Sequence, residues 1–235
     1  MKCNLTEILN GNSYPGRGIV IGLTPDGENV VIAYFTMGRS VNSQNRIFIE
    51  DGDGIMNKAF DPSKMVDPSL IIYAPVRVLP SCTIVTNGDQ TDTVYDFLVS
   101  GQSFEDALAT RTFEPDPPNF TPRISGVVEF GARASYKLSI LKSLDGDEHS
   151  VCRYYYNYDE PQAGTGHFIH TYKCDGDPIP SFSGEPVCVD ICDDFEKFSC
   201  DIWASLNEDN KVSLFTRFIN VKTGKTVSKI FNKLG

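Results

Sequence analysis

Apolar, β-favouring runs separated by turn residues dominate the chain. Gly18–Leu23 and Val30–Phe35 are two such runs, joined by Thr24-Pro25-Asp26-Gly27, with Pro and Gly where a tight turn wants them. Further strands are predicted over Arg46–Glu50, Leu70–Val78 and Cys82–Thr86. Asn87-Gly88-Asp89-Gln90 then breaks the pattern, and Thr91 is placed to cap a helix over Asp92–Val99. Ser103 with Asp106 three residues later is a capping-box signature for a second helix, Phe104–Arg111. Prolines 115, 117, 118 and 122 make 112–122 an extended, stiff segment. Strand runs resume at Ile124–Phe130, Tyr136–Leu141, Val151–Tyr156 and His167–Tyr172. A Gly-, Pro- and Ser-rich loop follows between Cys174 and Pro186. Ile191, Phe195, Phe198, Ile202 and Leu206 recur at three-to-four-residue spacing, which predicts an amphipathic helix over about 189–206. Val212–Val221 and Thr226–Phe231 close the chain as a hairpin. Many strands with a few intercalated helices, rather than strict βαβ alternation, predict an α+β layered fold. With no linker, repeat or low-complexity tract, the 235 residues read as a single domain.

Composition narrows the classes of function. At 40% apolar residues the chain can bury a core. A formal charge of −10 repels phosphodiester backbones and argues against nucleic acid as a partner. No apolar run reaches the length of a membrane span. Polar sequence directly after Met1 lacks the apolar stretch of a signal peptide, so a cytoplasmic protein is expected. Seven scattered cysteines (3, 82, 152, 174, 188, 192 and 200) suit buried free thiols better than a disulfide framework. The charge is unevenly distributed. Six of the nine arginines (17, 39, 46, 77, 111 and 123) precede residue 130, whereas lysines 211, 222, 225, 229 and 233 gather at the end. Arginine suits fixed, bidentate contact with phosphate or carboxylate, so the first half has the means to hold a small anion.

Other chemistries find little support. His167 and His170, three apart on a strand, point to opposite faces and do not converge on a metal with Cys174. Cys188, Cys192 and Cys200 lack zinc-site spacing. No metal site is expected. There is no GxSxG elbow and no P-loop, and Cys3 lies behind Met1-Lys2, out of place for an N-terminal nucleophile.

Four segments favour an anion pocket. Asn87–Asp92 runs into a helix N-terminus, where unpaired N–H groups favour negative charge, although an ordinary capped turn has the same composition. Gly38-Arg39-Ser40 through Asn45-Arg46 offers two guanidiniums, a hydroxyl and amides within a short span, equally readable as a solvated loop. Tyr14-Pro15-Gly16-Arg17 and Thr121-Pro122-Arg123 each present an arginine at a proline-stiffened strand start. Four such segments in 125 residues point to a shared pocket.

These segments occur in order with Tyr73…Arg77-Val78, Val85–Thr93, Glu114…Thr121-Pro122-Arg123-Ile124 and, further on, Gly166–Tyr172. Together they resemble the archaeal-type IMP cyclohydrolase family, including its longer bacterial members, most closely over residues 14–130. The resemblance implies a four-layer αββα sandwich similar to N-terminal-nucleophile hydrolases but without the terminal nucleophile. It implies ring closure of 5-formamido-4-imidazolecarboxamide ribotide to inosine monophosphate (IMP) with loss of water, no cofactor, a purine-nucleotide partner and a homo-oligomer, a tetramer.

The resemblance also implies roles for residues. Arg39 and Arg123 are candidate anion and oxyanion contacts, Tyr73 a base contact, and Glu114 the group that moves the proton, with Asp116 as the alternative. Tyr14, Arg17, Ser40, Asn45, Arg46, Asn87, Gly88, Asp89 and Thr91 are candidate substrate contacts. An acidic Asp89 beside a phosphate is unfavourable unless it turns away, which would leave the phosphate to Arg17, Arg39 or Arg46. Two other classes stay open: an amidohydrolase using Cys152 or Cys174, and a catalytically silent nucleotide-binding protein.

Overall fold

In the first hairpin, β1 (Arg17–Leu23) and β2 (Asn29–Met37) flank a turn in which the Gly27 N–H donates to the Thr24 carbonyl at 2.9 Å. Gly27 has φ +70°, a conformation that glycine adopts without steric cost. This computed structural model describes residues 2–65, 68, 71–131 and 133–235.

Among the described residues the named strands form two antiparallel sheets. The first has the order β11-β10-β1-β2-β12-β13, adding β10 (Thr165–His170), β11 (Val187–Asp190), β12 (Lys211–Asn220) and β13 (Thr226–Asn232). The second runs β3-β4-β5-β6-β7-β8-β9. Its strands are β3 (Arg46–Asp51), β4 (Gly54–Ala59), β5 (Val76–Leu79), β6 (Cys82–Thr86), β7 (Arg123–Glu129), β8 (Ser135–Leu144) and β9 (Asp147–Tyr158).

Period-2 alternation gives each sheet two apolar faces. Ile19, Ile21, Ile32 and Tyr34 of the first sheet share a core with Phe48, Ile55, Val85, Ile124 and Leu138 of the second. The outer face of the first sheet packs Val20, Val31 and Phe35 against Leu5 and Leu9 of α1 (Leu5–Asn10) and Phe198 and Ile202 of α5 (Phe195–Ser205). The outer face of the second packs Ile84, Val127 and Leu141 against Val94 of α3 (Gln90–Val99) and Phe104, Ala107 and Leu108 of α4 (Phe104–Ala109). At one margin the Asn232 side chain bridges the sheets: its Oδ1 accepts the Phe48 N–H at 2.9 Å and its Nδ2 donates to the Phe48 carbonyl at 3.0 Å.

Several elements differ from the sequence expectation, each for a local reason. The helix expected over 189–206 begins only at Phe195, where the Asp194 carboxylate accepts the Lys197 N–H at 2.8 Å. Val187–Asp190 instead pair with β10 as a strand. The strand expected over Leu70–Val78 shortens to Val76–Leu79, since Pro75 has no N–H to give a ladder, and Leu70 itself lies outside the described residues. Helix α3 starts at Gln90, two residues early, with Asp89 rather than Thr91 at its cap. Strand β4, α1 and the four-residue α2 (Val41–Gln44) carried no sequence signal strong enough to read. The capping box of Ser103 and Asp106 is present as expected. All seven cysteines are free thiols, but only Cys82 is buried, and Cys3, Cys174 and Cys200 are exposed. No helix among the described residues is long and apolar enough to cross a membrane.

Candidate active site

Strand register brings the starts of β1, β3 and β7 to one end of the two sheets, together with the ends of β2, β4, β6 and β10. There the inter-sheet core turns polar. Arg17 lies two residues before inward-facing Ile19, and Arg46 two before Phe48, so both guanidiniums enter the space between the sheets. Both are buried. Tyr34 and Tyr73 meet through their hydroxyls at 2.9 Å in the same space.

Glu114 comes from the extended proline segment and is buried to 2% exposure. Its backbone N–H donates to the Thr121 carbonyl at 2.9 Å, and its Oε2 stands 3.9 Å from Nη2 of Arg17. Burial pushes the Glu114 carboxyl above the usual carboxylate range, against the pull of Arg17 and then Arg123. Burial works against the Arg17 charge, and the Glu114 carboxylate restores it, so this guanidinium stays protonated. Arg46 is pushed down by burial and then by the like charge of Arg17. Nε of Arg46 donates to the Ser43 carbonyl at 2.7 Å, but its Nη1 has no partner among the described residues, nor has Nε of Arg17. Two buried guanidiniums facing one carboxylate, with idle N–H groups, form a buried cluster short of negative charge.

Asp116 is occupied elsewhere. Its carboxylate accepts the Thr121 N–H at 2.7 Å and the Thr121 hydroxyl at 2.5 Å. Thr121 Oγ1 in turn lies 2.5 Å from the Tyr172 hydroxyl. Tyr172 stacks on Tyr14 with ring centroids 5.8 Å apart, and the Arg39 guanidinium lies over the Tyr14 ring at 5.1 Å. Arg39 thus sits at the rim. It donates to the Asp175 carboxylate at 2.6 Å and to the Gly176 carbonyl at 3.0 Å.

The start of α3 is bound up in the fold. Asn87 Nδ2 donates to the Pro122 carbonyl at 2.9 Å, and its Oδ1 accepts from Ile124 N at 2.8 Å and Gln90 Nε2 at 3.0 Å. The Thr91 hydroxyl donates to the Gly88 carbonyl at 2.9 Å. A Cβ on Gly88 would lie 2.4 Å from Nη1 of Arg123 and 2.6 Å from Oε1 of Gln90, so a larger residue would displace these two side-chain ends. Arg123 Nη1 holds Gln90 Oε1 at 2.6 Å and Asp89 Oδ1 at 2.7 Å. Arg111 takes the other oxygen of Asp89 at 2.5 Å. The burial cost on Asp89 is thereby overcome, and its carboxyl is held low by Arg111 and Arg123. Asp89 has turned to the arginines and makes no side-chain cap on α3.

Ser40 and Asn45 serve local structure. Ser40 Oγ accepts the Ser43 N–H at 3.1 Å as the cap of α2, and the Asn45 amide pairs with both backbone groups of Asp61 at 2.8 Å. Sequence reasoning missed Tyr34, Asn57 and the site position of Tyr172. Tyr34 lies inside an ordinary strand run and Asn57 in a strand the sequence did not signal, and only their register brings them here.

His167 and His170 diverge: Nδ1 of His167 lies 2.6 Å from the Tyr136 hydroxyl, and Nδ1 of His170 lies 2.7 Å from the Tyr172 carbonyl. Among the described residues no three His, Cys, Asp or Glu side chains gather as metal ligands would. Cys174 is exposed in the loop after β10, and Cys152 lies on edge strand β9.

The model of the IMP cyclohydrolase-like protein family matches residues 14–225, spanning every segment of this site. The chain belongs to that family. Relatives named IMP cyclohydrolase include one from Methanopyrus kandleri, 29% identical over 180 residues, covering 72% of this chain and 89% of the relative. Another, from Methanothrix thermoacetophila, is 29% identical over 164 residues, 65% of this chain and 80% of the relative. The protein from Methanocella arvoryzae is 35% identical over 122 residues, 49% of this chain and 57% of its own length. The matched span runs from the arginine-rich first half through β10 and β12 of the first sheet.

Proposed function

We propose that this chain is an IMP cyclohydrolase, closing the formamido ribotide to IMP at the polar end of the two sheets. The observation that carries the site assignment is the buried, cation-rich cluster of Arg17, Arg46 and Glu114 beside the Tyr34–Tyr73 pair. A nucleotide phosphate supplies the negative charge the cluster lacks. Arg17 and Arg46 have buried N–H groups to give it, with Arg39 closing from the rim.

The chemistry asks for one proton acceptor. A carboxamide nitrogen is a weak nucleophile because its lone pair is delocalised, so attack on the formyl carbon needs a base as the N–C bond forms. The formyl oxygen takes up the amide proton to become a hydroxyl, which leaves as water with the proton of the formamido nitrogen as the C=N bond forms. Glu114 takes the amide proton in this reading. A carboxyl raised by burial accepts a proton more readily than a solvated one. Asp116, already engaged by Thr121, is a positioning group instead. Arg123 stabilises the developing oxyanion. The reaction is intramolecular, so a pocket that holds amide and formyl groups together supplies much of the acceleration. Tyr73 meets the base, Tyr14 and Tyr172 line the mouth, and Asn87, Gly88, Asp89 and Thr91 build the wall that carries Arg123.

The layering of helices on the outer faces of both sheets supports the αββα sandwich of the N-terminal-nucleophile type, in one domain. We extend the reading to a cytoplasmic homo-tetramer, which light scattering tests. The decisive assay incubates purified protein with the formamido ribotide, without added metal or cofactor, and follows purine absorbance. Absence of ring closure at stoichiometric protein refutes the proposal.

A further inference from the structure

Asn57 has no place in the motifs read from the sequence, yet the fold gives it an unusual position. It alternates inward on β4 with Ile55, a member of the inter-sheet core, and it is fully buried. Neither Nδ2 nor Oδ1 has a hydrogen-bond partner among the described residues. Its backbone N–H donates to the Tyr73 carbonyl at 2.9 Å, and it stands opposite Phe48 in the ladder, one diagonal step from Arg46. Phe48 and Tyr34, both buried in the inter-sheet core, stack at 5.5 Å beside it. Buried amides are almost always paired, so a donor and an acceptor idle on one side chain imply a partner absent from the free protein.

The chemistry of that partner follows from the amide. Phosphate offers only acceptors and would set its charge against Oδ1. A group presenting a carbonyl oxygen beside an N–H satisfies both atoms at once. We propose that Asn57 reads the carboxamide edge of the substrate, which becomes the N1–H and O6 edge of the product ring. Oδ1 accepts the N–H on the oxygen's side of the carboxamide, and Nδ2 donates to the carbonyl oxygen. The ring keeps that same N–H, while the opposite N–H is lost as the nitrogen bonds the formyl carbon. Pairing with Asn57 therefore leaves the reacting N–H turned toward the formyl group. Asn57 is a positioning and specificity-determining residue in this scheme, which rests on the ring-closure reading above.

The test compares wild-type and Asn57→Leu full-length protein by calorimetry with three probes: IMP, purine ribotide lacking O6 and the N1–H, and ribose 5-phosphate. Wild type is expected to bind IMP at least ~10-fold tighter than purine ribotide, since a site built to pair polar atoms rejects the analogue without them. In Asn57→Leu that preference falls towards unity, ribose 5-phosphate binding is unchanged, and the melting temperature does not fall. Turnover of the formamido ribotide drops through kcat as well as KM. Should Asn57→Leu misfold, Asn57→Ser carries the same comparison. Retention of the IMP preference in the variant overturns the assignment. So does a parallel loss of ribose 5-phosphate affinity, which would move Asn57 to the sugar. A wild-type chain that neither binds IMP nor closes the ring instead removes the reading on which the assignment stands.

Discussion

Glu114→Gln tests the chemistry and the charge balance of the buried cluster together. The 3.9 Å contact with Arg17 is worth roughly 4 kcal/mol at an effective dielectric of about 20. Burying a carboxylate costs several kcal/mol in return. The direction of the Glu114 shift says that burial outweighs the attraction of Arg17, Arg123 and Arg46 together. A neutral amide of the same shape removes that burial cost but leaves Arg17 and Arg46 buried without their counter-charge, so stability is expected to fall by about 3–5 kcal/mol. Turnover is expected to fall ~100-fold or more, about 2.7 kcal/mol of barrier, since no group remains to take the amide proton. The pH dependence adds a second readout. A carboxyl whose folded value lies above its unfolded one binds more protons in the native state, so its contribution to stability shrinks as pH rises between the two values. The same titration makes the rate climb with pH as the carboxylate forms. Glu114→Gln should flatten both trends. Stopped-flow absorbance with the formamido ribotide, paired with thermal melts from pH 4.5 to 8, checks this. Near-wild-type turnover eliminates Glu114 as the base. A stability loss below about 1 kcal/mol shows that Arg17 and Arg46 do not depend on this carboxylate, and the charge argument is wrong.

Arg39→Ala should weaken IMP binding by at least ~1.5 kcal/mol while leaving Tm almost unchanged, because its partner Asp175 is exposed; unaltered calorimetric affinity takes Arg39 out of the site. Asn87→Ala breaks three buried hydrogen bonds that join β6, α3 and β7, and a loss of about 2–4 kcal/mol is expected by urea denaturation. A loss below ~1 kcal/mol would place the side chain's purpose in ligand contact. His170, buried against Phe168, has its value lowered to about 4 by burial. The unfolded chain takes up that proton first, so stability is full above pH ~6.5 and declines as pH falls towards 4, by up to about 3 kcal/mol. Asn or Gln at this position should remove that part of the acid sensitivity; an unchanged acid midpoint contradicts it.

The local signals that the sequence carries were legible because they depend on near neighbours. The Thr24–Gly27 turn, the bounds of β6 and the Ser103–Asp106 box follow from steric preference and short-range hydrogen bonding. The arginines at strand starts were visible for the same reason, as were the ordered segments that carry the family resemblance. Where a helix begins at Phe195 rather than 189 depends on β10 offering an edge to Val187–Asp190, and no local pattern encodes that. The site shows the division most clearly. Arg17, Arg46 and Glu114 were nameable in the sequence, but Arg111 gained its partner and Asp89 its direction only when the start of α3 met β7. Tyr34 sits in a run that reads as plain strand, and Asn57 in a strand without a readable signal. A period-2 chain shows which side chains share a face, but only the pairing of two sheets decides what that face meets. Sequence alone thus supplied an anion-binding half, and tertiary structure decided which guanidiniums remain unspent. Burial makes the difference, because an unpaired polar group costs little in water and a great deal between two sheets.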